Sequence, residues 1–489
     1  MIRLAIIDNL YNTVLNKGDC LFLCNRDVKL TYMESWLSIV RTTSKLQDIG
    51  VKIRDRILVL SDNSVDFYVL LLAILKIGAI AIPVNEKIPY RKYKHIVEDS
   101  KPHFIISVNR NRWSEGKDCL YYSDLKYRDN ILSDCMYQIE GNEIALIMYT
   151  SGSTGEAKGV VVSHDNILFS SNSIVEYLVL QNDVILDALP QYFDYGLYQC
   201  FLAIVSGSTL VVHDNFLFMD ELFWLCEKYS VNCWPLVPSV IERIERYVVK
   251  NTTCIKILHN ITKVTSTGSA LFPEYVKKLA SIFGNARIFS MYGLTECKRV
   301  SYVPPERLFE KINSVGIPMP GVEISIRNDN GMEVKCGEKG YLHVSGRNVT
   351  RGYWNDKNLT NQVYYTDAFG KKCINTGDIF YQDMEGYLYF VGRKDDIVKI
   401  SDMRVSMKSI SKILLEIDGI EYAHTIYTKD SNLVSYVVLG DKHLTEQKIK
   451  RYLNDQLDSV ALIPDIISVD EMPLNDNLKY SRNEMEGSL

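Results

Sequence analysis

Residues 148–159 read Met-Tyr-Thr-Ser-Gly-Ser-Thr-Gly-Glu-Ala-Lys-Gly, and this segment decides how the rest of the chain is interpreted. The apolar run EIALIMYTSG at 143–152 predicts a strand that leads into it. Glycines let backbone N–H groups approach an anion closely, hydroxyl groups donate to phosphate oxygens, and a lysine adds a mobile positive charge. The segment predicts a phosphate-binding loop, with a flexible surface turn as the alternative. It is not a Walker A loop, because no glycine stands directly before a Lys-Ser or Lys-Thr pair at the required spacing.

On both sides of this segment the chain alternates between short apolar runs and helical patterns. Residues 56–62 and 79–85 are predicted strands, and residues 66–78 between them form a predicted helix closed by a glycine. Repeated strand, helix and strand favours an α/β fold of parallel sheets with helices on their faces. Past residue 340, short strands separated by glycines predict an antiparallel or barrel-like piece. The last hundred or so residues mix helix and strand, as expected for a small α+β domain.

Composition limits the class of protein. The 489 residues allow about two to four folding units. Their 55 Lys and Arg against 60 Asp and Glu give a net charge of −5, which argues against a nucleic-acid binder. Eleven scattered cysteines without a CxxC pair exclude a zinc ribbon and favour reduced thiols in the cytoplasm. The longest apolar stretch, 67–84, is interrupted by Lys76, Gly78 and Pro83, so it predicts buried helix and strand and no membrane span.

Four further segments carry residues suited to nucleotide chemistry. In MYGLTE, 291–296, the tyrosine offers a flat face to a purine and the glutamate a hard oxygen ligand to Mg²⁺. NTGD at 375–378 and GRKDD at 392–396 contribute an aspartate and a charged run, and PLNDNLKYSR at 473–482 contributes a lysine. Taken singly, each has an ordinary alternative: a strand-to-loop turn, a Gly-Asp turn, a solvated charge run and a polar tail.

Together these segments resemble, in order and separation, the adenylate-forming superfamily of acyl-CoA synthetases, nonribosomal-peptide adenylation domains and luciferases. TSGSTGxxKG is similar to the phosphate loop of that family, and the others to its YGxTE, TGD, GRxDD and PxTxxGKxxR motifs. The resemblance covers nearly the whole chain. It implies a large N-terminal domain, residues 1–394, and a small mobile C-terminal domain, residues 395–489, with the active site between them.

The resemblance also implies roles for individual residues. Lys479, Thr295 and Glu296 are the expected catalytic residues, Glu296 is the expected Mg²⁺ ligand, and Asp395 is the expected hinge. The expected ATP-binding residues are Thr150, Ser151, Gly152, Ser153, Thr154, Gly155, Lys158, Gly268, Ser269, Tyr292, Gly293, Asp378 and Arg393.

The segment LPQYFDYGLY, 189–198, aligns with the part of the family that opens the substrate pocket. Asp194 stands where amino-acid-activating members carry an aspartate that pairs with the substrate α-ammonium, and Tyr198 follows one helical turn later. A buried carboxylate needs a cationic partner, which favours an amino acid as the substrate. An N-cap role at a helix starting with Tyr195 is the alternative for Asp194, and some acyl-CoA ligases share the FDxGL string.

The resemblance therefore implies an ATP- and Mg²⁺-dependent, AMP-forming ligase. Its substrate is a small carboxylic acid, with an amino acid favoured, and its acceptor is the phosphopantetheine thiol of a separate carrier protein. Free CoA as the acceptor is one alternative, and a nucleotide-binding sensor or scaffold without turnover is another. The chain departs from the family in KISDMR, 399–404, where Asp402 occupies a usual glycine position. A β carbon and a negative charge there would narrow the thiol path or repel the thiol.

Overall fold

The computed structural model describes residues 5–109, 119–126, 138–151, 157–269, 271–393, 397–400, 403–428, 432–440, 444–457 and 463–472. The helices of this part are α1 Ile6–Lys17, α2 Tyr32–Asp48, α3 Val65–Ile77, α4 Tyr90–Ser100, α5 Tyr122–Lys126, α6 His164–Leu178, α7 Asp194–Ser206, α8 Met219–Tyr229, α9 Pro238–Lys250, α10 Ile255–Leu258, α11 Pro273–Phe283, α12 Lys357–Val363, α13 Met407–Leu415 and α14 Glu446–Gln456.

The strands of the same residues fall into five sheets. In chain order they are β1 Leu21–Cys24, β2 Lys29–Thr31, β3 Arg56–Ser61, β4 Ile80–Asn85, β5 Phe104–Ser107, β6 Cys119–Tyr121, β7 Ile144–Ser151, β8 Ala157–Ser163, β9 Val184–Asp187, β10 Thr209–Val212, β11 Cys233–Leu236, β12 Lys263–Ser266, β13 Arg287–Leu294, β14 Lys298–Tyr302, β15 Ile317–Pro318, β16 Glu323–Arg327, β17 Gly340–Ser345, β18 Tyr364–Thr366, β19 Lys372–Gln382, β20 Leu388–Arg393, β21 Ile397–Ile400, β22 Met403–Ser406, β23 Ile420–Tyr427, β24 Leu433–Leu439 and β25 Asp465–Ser468.

Two large sheets with parallel centres form most of the described chain. One has the order β6-β5-β3-β4-β7-β8, and the other has the order β15-β14-β13-β12-β11-β9-β10-β1-β2. The pairs β3–β4, β3–β5 and β4–β7 are parallel, as are the pairs from β1 through β13 of the second sheet, except β1–β2. Antiparallel strands β8, β14 and β15 extend these centres. Buried apolar residues from both sheets and their helices form one continuous core.

Local sequence explains the first strand-helix-strand unit. The hydroxyl of Ser64 accepts a hydrogen bond from the Phe67 amide at 3.2 Å and caps α3. Gly78 closes that helix with φ of +78°, a left-handed conformation that glycine adopts without strain. Because every residue of α3 except Asp66 is buried, the helix is apolar on all sides and packs inside the protein. The strands predicted at 56–62 and 79–85 and the helix predicted at 66–78 are confirmed to within one residue.

The C-terminal half of the chain contains the antiparallel structure that its glycine spacing predicts. Strands β16, β17, β18, β19 and β20 make a five-stranded antiparallel sheet, and β21 pairs with β22. Strands β23, β24 and β25 form a separate sheet beside α13 and α14, with its own apolar cluster that includes Ile410, Leu414 and Ile449. The expected α/β architecture, parallel sheets followed by a smaller α+β unit, is therefore confirmed.

Candidate active site

The glycine-rich segment forms a β-hairpin. Strand β7 ends at Ser151 and β8 begins at Ala157, and the two strands are antiparallel with Thr150 opposite Lys158. Much of the segment 148–159 that predicts a phosphate-binding loop is therefore paired strand, because pairing continues through Ser151 on one side and from Ala157 on the other. Gly152, Ser153, Thr154 and Gly155 lie outside the described residues. Tyr149 fixes the hairpin by donating a hydrogen bond from its hydroxyl to Asp99 Oδ2 at 2.5 Å.

A further segment of chain attaches this hairpin to the MYGLTE turn. The amides of Arg351 and Trp354 donate to the carbonyls of Val161 and Gly159 at 2.9 and 2.7 Å, so residues 351–354 run along β8. Between them, the hydroxyl of Tyr353 donates to Glu296 Oε1 at 2.8 Å. Burial, followed by the nearby carboxylate, raises the pKa of Tyr353, so its hydroxyl remains a donor. Tyr353 thus holds the glutamate beside the hairpin, a role that no motif in the sequence indicates.

Thr295 and Glu296 lie in the turn between β13 and β14. The carbonyl of Glu296 accepts a hydrogen bond from the Thr350 amide at 2.9 Å, so both its backbone and its side chain are fixed. Glu296 belongs to no group of three or more metal-binding His, Cys, Asp or Glu side chains in the described part of the chain. The carboxylate of Glu296 has the chemistry of a Mg²⁺ ligand, since Mg²⁺ takes one or two carboxylates together with water and phosphate oxygens.

The hairpin of β13 and β14 has no room for a side chain at Gly293, which lies on β13 close to the turn. A β carbon added there would lie 1.8 Å from the carbonyl oxygen of Lys298, which is a backbone atom and cannot move aside. Gly293→Ala should therefore displace the turn, lower the thermal midpoint by several degrees and reduce nucleotide binding at least about tenfold.

Thermal unfolding and nucleotide titration of the variant measure these two effects. The matched control is Gly331→Ala. Gly331 has φ of +77° but no atom within 4 Å of an added β carbon, so only backbone strain of about 1 kcal/mol is expected. Nucleotide affinity of Gly293→Ala equal to that of the control would contradict the packing argument.

Three of the expected motifs meet at Asp378. This residue lies on β19 and is 1% exposed. Its Oδ2 accepts a hydrogen bond from the Tyr292 hydroxyl at 2.5 Å, and its Oδ1 accepts one from Arg393 Nε at 2.9 Å. The Tyr292 ring packs edge-on against Phe380 with centroids 5.0 Å apart. Burial, together with the Asp378 charge, raises the pKa of Tyr292 well above its ordinary value, so the phenol stays protonated.

The arrangement follows from strand register. Asp378 and Arg393 are direct partners in the antiparallel pair β19–β20, which explains how residues fifteen positions apart face each other. Gly268 and Ser269 follow β12, and Tyr292 lies on its parallel neighbour β13. Since ligands in α/β sheets bind at the carboxyl ends of parallel strands, this edge suits a nucleotide.

Asp194 and Tyr198 lie on the first turn of α7 and are both buried. The helix begins at Asp194 with Phe193 as its N-cap, so the alternative of a capping role for Asp194 is wrong. Lys298 donates from Nζ to Asp194 Oδ2 at 3.0 Å and to the Asp194 carbonyl at 2.6 Å. The cation that a buried carboxylate requires is therefore present within the chain, which the sequence analysis missed. The one feature of the sequence that pointed to this cation is the position of the lysine, two residues after Glu296.

Comparison with known proteins identifies the family. A family described as AMP-binding enzyme matches residues 11–354. The chain belongs to the AMP-binding enzyme family. Over 502 residues it is 26% identical to a D-alanine–D-alanyl carrier protein ligase from Bacillus licheniformis, covering 99% of each chain. It is also 25% identical over 470 residues to gramicidin S synthase 2 from Brevibacillus brevis, covering 93% of this chain and 10% of that synthase. The chain thus spans about a tenth of the length of that relative.

Solved structures of AMP-binding enzymes share the whole fold. NpsA from Klebsiella oxytoca, in complex with 3-hydroxyanthranilyl-AMSN, has a TM-score of 0.88 at 22% identity over 99% of both chains. O-succinylbenzoate coenzyme A synthetase from Bacillus subtilis, in complex with ATP and a magnesium ion, has a TM-score of 0.84 at 23% identity, over 98% of this chain and 99% of that one. At these identities the likeness establishes the fold.

Besides the four residues of the glycine-rich segment named above, two more expected site residues lie outside the described part of this AMP-binding enzyme: Lys479, the expected catalytic lysine, and Asp395, the expected hinge. Asp402 also lies outside it, between β21 and β22. Among the described residues, no helix is long and apolar enough to cross a membrane.

Proposed function

We propose that this member of the AMP-binding family is an ATP-dependent, AMP-forming ligase. It activates a small carboxylic acid, with an amino acid favoured, and transfers it to the phosphopantetheine thiol of a separate carrier protein. The observation that carries the proposal is the convergence of Tyr292 and Arg393 on the buried carboxylate of Asp378. The carrier protein ligase and peptide synthase relatives support the choice of acid and acceptor.

In the first half-reaction, a carboxylate oxygen of the acid attacks the α-phosphorus of ATP. A new oxygen–phosphorus bond forms and the bond to pyrophosphate breaks. Because both reactants are anions, the protein acts mainly by neutralising charge and aligning the reacting groups. Asp378 would hold the ribose hydroxyls, while Lys158 and the hydroxyl residues of the hairpin would face the phosphates. Mg²⁺ on Glu296, when bound, would supply further positive charge to the phosphate oxygens.

In the second half-reaction, the thiol sulfur attacks the acyl carbon and AMP leaves with the electrons of the acyl–oxygen bond. The thiol proton passes to solvent. These two steps require different surroundings, and we propose that residues 395–489 rotate about Asp395 between them. Their separate sheet, with an apolar cluster between it and α13 and α14, supports movement as a unit, and the rotation would part Tyr422, Val434 and Tyr436 from the main core that they join in this structure. A cytoplasmic location is part of the same proposal, supported by ten described cysteines that are all free thiols.

ATP–pyrophosphate exchange with a panel of amino, aryl and aliphatic acids tests the adenylation step. We expect one chemical class of acid to support exchange well above the rate without acid. Absence of exchange with every acid would contradict the proposal and favour a nucleotide-binding protein without turnover. Release of AMP is then followed with a phosphopantetheinylated carrier protein and with free CoA. If AMP is released faster with free CoA than with the carrier protein, CoA is the acceptor.

Helix α9 contacts the C-terminal sheet of β23, β24 and β25, and this contact includes a buried glutamate, Glu242 on α9. It is 2% exposed, and Lys278 and Arg246 approach its oxygens only to 3.6 and 3.9 Å. On the other side of the contact, Tyr422 donates to the carbonyl of Ser239 at 3.3 Å. Burial outweighs the two cations and raises the pKa of Glu242 from 4.5 to about 8. The protonated form is therefore favoured in the folded protein.

Glu242→Gln should make folding stability less dependent on pH. A carboxyl group whose pKa is raised by folding stabilises the protein fully below its unfolded value of about 4.5, and this contribution is lost as the pH rises through about 8. The wild-type thermal midpoint should fall by a few degrees more than that of the variant between pH 5 and pH 8. Thermal scans at both pH values measure the difference, and parallel changes in the two proteins would contradict a neutral Glu242.

A further inference from the structure

Asp99, in the last turn of α4, joins this helix to two other segments of the chain. Its Oδ2 accepts the hydrogen bond from the Tyr149 hydroxyl of β7 at 2.5 Å. Its carbonyl accepts hydrogen bonds from Trp354 Nε1 at 3.3 Å and from Asn355 Nδ2 at 2.7 Å, since the last carbonyls of a helix have no partner within the helix. Burial, followed by the hydrogen bond to Asp99, raises the pKa of Tyr149, so its hydroxyl remains a donor. A single residue of α4 therefore holds both β7 and the segment that runs along β8.

A second contact from α4 reaches β8 directly. His95, one turn earlier on the helix, donates from Nε2 to the carbonyl of Ala157 at 2.9 Å. The carbonyl of Gly159, two residues further along β8, accepts a hydrogen bond from the Trp354 amide at 2.7 Å. The backbone on both sides of Lys158 is therefore fixed, on one side by α4 and on the other by the segment that α4 holds.

Close packing reinforces these hydrogen bonds. Gly159 is paired with Tyr149 across the hairpin. A β carbon added at this glycine would lie 2.8 Å from the Ile147 side chain and 3.2 Å from the side chains of Trp354 and Tyr149. The missing side chain lets these two aromatic residues approach the hairpin backbone, and both join an apolar cluster that includes Ile96 of α4. The hairpin, the helix and the 354–355 segment thus pack as one unit.

Strand alternation places the expected phosphate-binding residues on the other face of the hairpin. Thr150 and Lys158 are direct partners in the pairing of β7 with β8, next to the pair formed by Tyr149 and Gly159. Adjacent pairs of an antiparallel ladder project their side chains to opposite faces. Because Tyr149 points toward α4, Thr150 and Lys158 point away from it. The helix therefore holds one face of the hairpin and leaves the opposite face to the phosphates that the proposed function assigns to it.

We propose that Asp99 is a positioning residue for the triphosphate of ATP, because it fixes the hairpin that carries Thr150 and Lys158. The inference rests on the proposed function. The proposed ribose and adenine residues, Asp378 and Tyr292, lie in two other sheets. Loosening the hairpin should therefore weaken the binding of ATP and leave the binding of AMP nearly unchanged.

Calorimetric titration with ATP and with AMP, both in the presence of Mg²⁺, tests this role without requiring turnover. Asp99→Ala removes the acceptor of the Tyr149 hydroxyl and should weaken ATP binding about tenfold, while AMP binding should change by less than about twofold. Tyr149→Phe removes the donor but keeps the ring, so it should have the same effect and keeps the test available if Asp99→Ala does not fold. Since both changes break one hydrogen bond, the double variant should bind ATP no more weakly than either single variant.

Two further variants separate positioning from a general loss of structure. Asp99→Asn retains an acceptor oxygen for the Tyr149 hydroxyl and should bind ATP nearly as the wild type does. The matched control is Glu98→Ala on the same helix, which removes only an exposed ion pair with Lys94 at 3.6 Å and should leave the binding of both nucleotides unchanged. Equal losses of ATP and AMP affinity in Asp99→Ala and Tyr149→Phe, or unchanged ATP affinity in both, would overturn the inference alone. Failure of the wild type to bind either nucleotide would instead contradict the proposed function.

Discussion

Lys479→Ala is expected to abolish acid-dependent pyrophosphate exchange while ATP still binds. We propose, from the resemblance of the 473–482 segment to the family motif, that the ammonium of Lys479 would contact the oxygens around the α-phosphorus, where negative charge develops as the carboxylate attacks. Losing one such donor typically costs a factor of roughly 10²–10³ in rate. Because ATP has other contacts at the ribose and the phosphates, its binding should change much less than the rate.

Exchange kinetics and calorimetric titration with ATP separate the two effects. The matched control is Lys450→Ala on α14, where the lysine makes an exposed ion pair with Glu446 at 2.8 Å. This control should retain wild-type exchange, because an exposed pair of this kind contributes little to stability. If the Lys479→Ala variant retains more than a tenth of the wild-type exchange rate, Lys479 is not the catalytic lysine of the adenylation step.

Asp378→Asn should raise the KM for ATP at least about tenfold. The substitution preserves the size of the side chain but removes the charge that Arg393 contacts, and it replaces one acceptor oxygen of the carboxylate by an amide donor. The proposed ribose site should then distinguish less well between nucleotides with and without a 2′-hydroxyl group. The wild type should strongly prefer ATP to 2′-deoxy-ATP, and the variant should prefer it much less.

Exchange assays with the two nucleotides measure this preference. Asp383→Asn is the matched control, since its carboxylate lies five residues away in the same sequence region and pairs with Lys311 at 2.9 Å. The control should keep both the wild-type KM for ATP and the preference for the 2′-hydroxyl. An Asp378→Asn variant that still distinguishes ATP from 2′-deoxy-ATP as well as the wild type would show that Asp378 does not contact the ribose.

Local patterns in the sequence were sufficient to predict the strands β3, β4 and β7 of the first sheet. The all-apolar helix at 66–78 and its flanking strands follow from hydrophobic pattern and a closing glycine, which act over a few residues. Strand register accounts for the contact between Asp378 and Arg393, two residues that the resemblance assigns to the nucleotide site without predicting that they touch. By contrast, the start of β8 at Ala157 depends on pairing with β7, so the extent of the glycine-rich loop was overestimated.

The contacts that sequence reasoning missed join residues far apart in the chain. Lys298 and Asp194 are 104 positions apart, and Tyr353 and Glu296 are 57 apart. The sequence around Lys298 or Tyr353 does not indicate which distant residue each one contacts. Such contacts depend on how α7 and the 350–354 segment pack against β14 and its turn. Asp194 does pair with a cation, as a buried carboxylate requires, but that cation is Lys298 of the same chain.

A crystal structure of the protein soaked with ATP and Mg²⁺ tests the central claim most directly. We expect the ribose hydroxyls to lie within hydrogen-bond distance of Asp378, the adenine beside Tyr292 and the metal next to Glu296. The phosphates should point toward the hairpin of β7 and β8. A nucleotide bound away from both that hairpin and the Asp378 carboxylate would contradict the account.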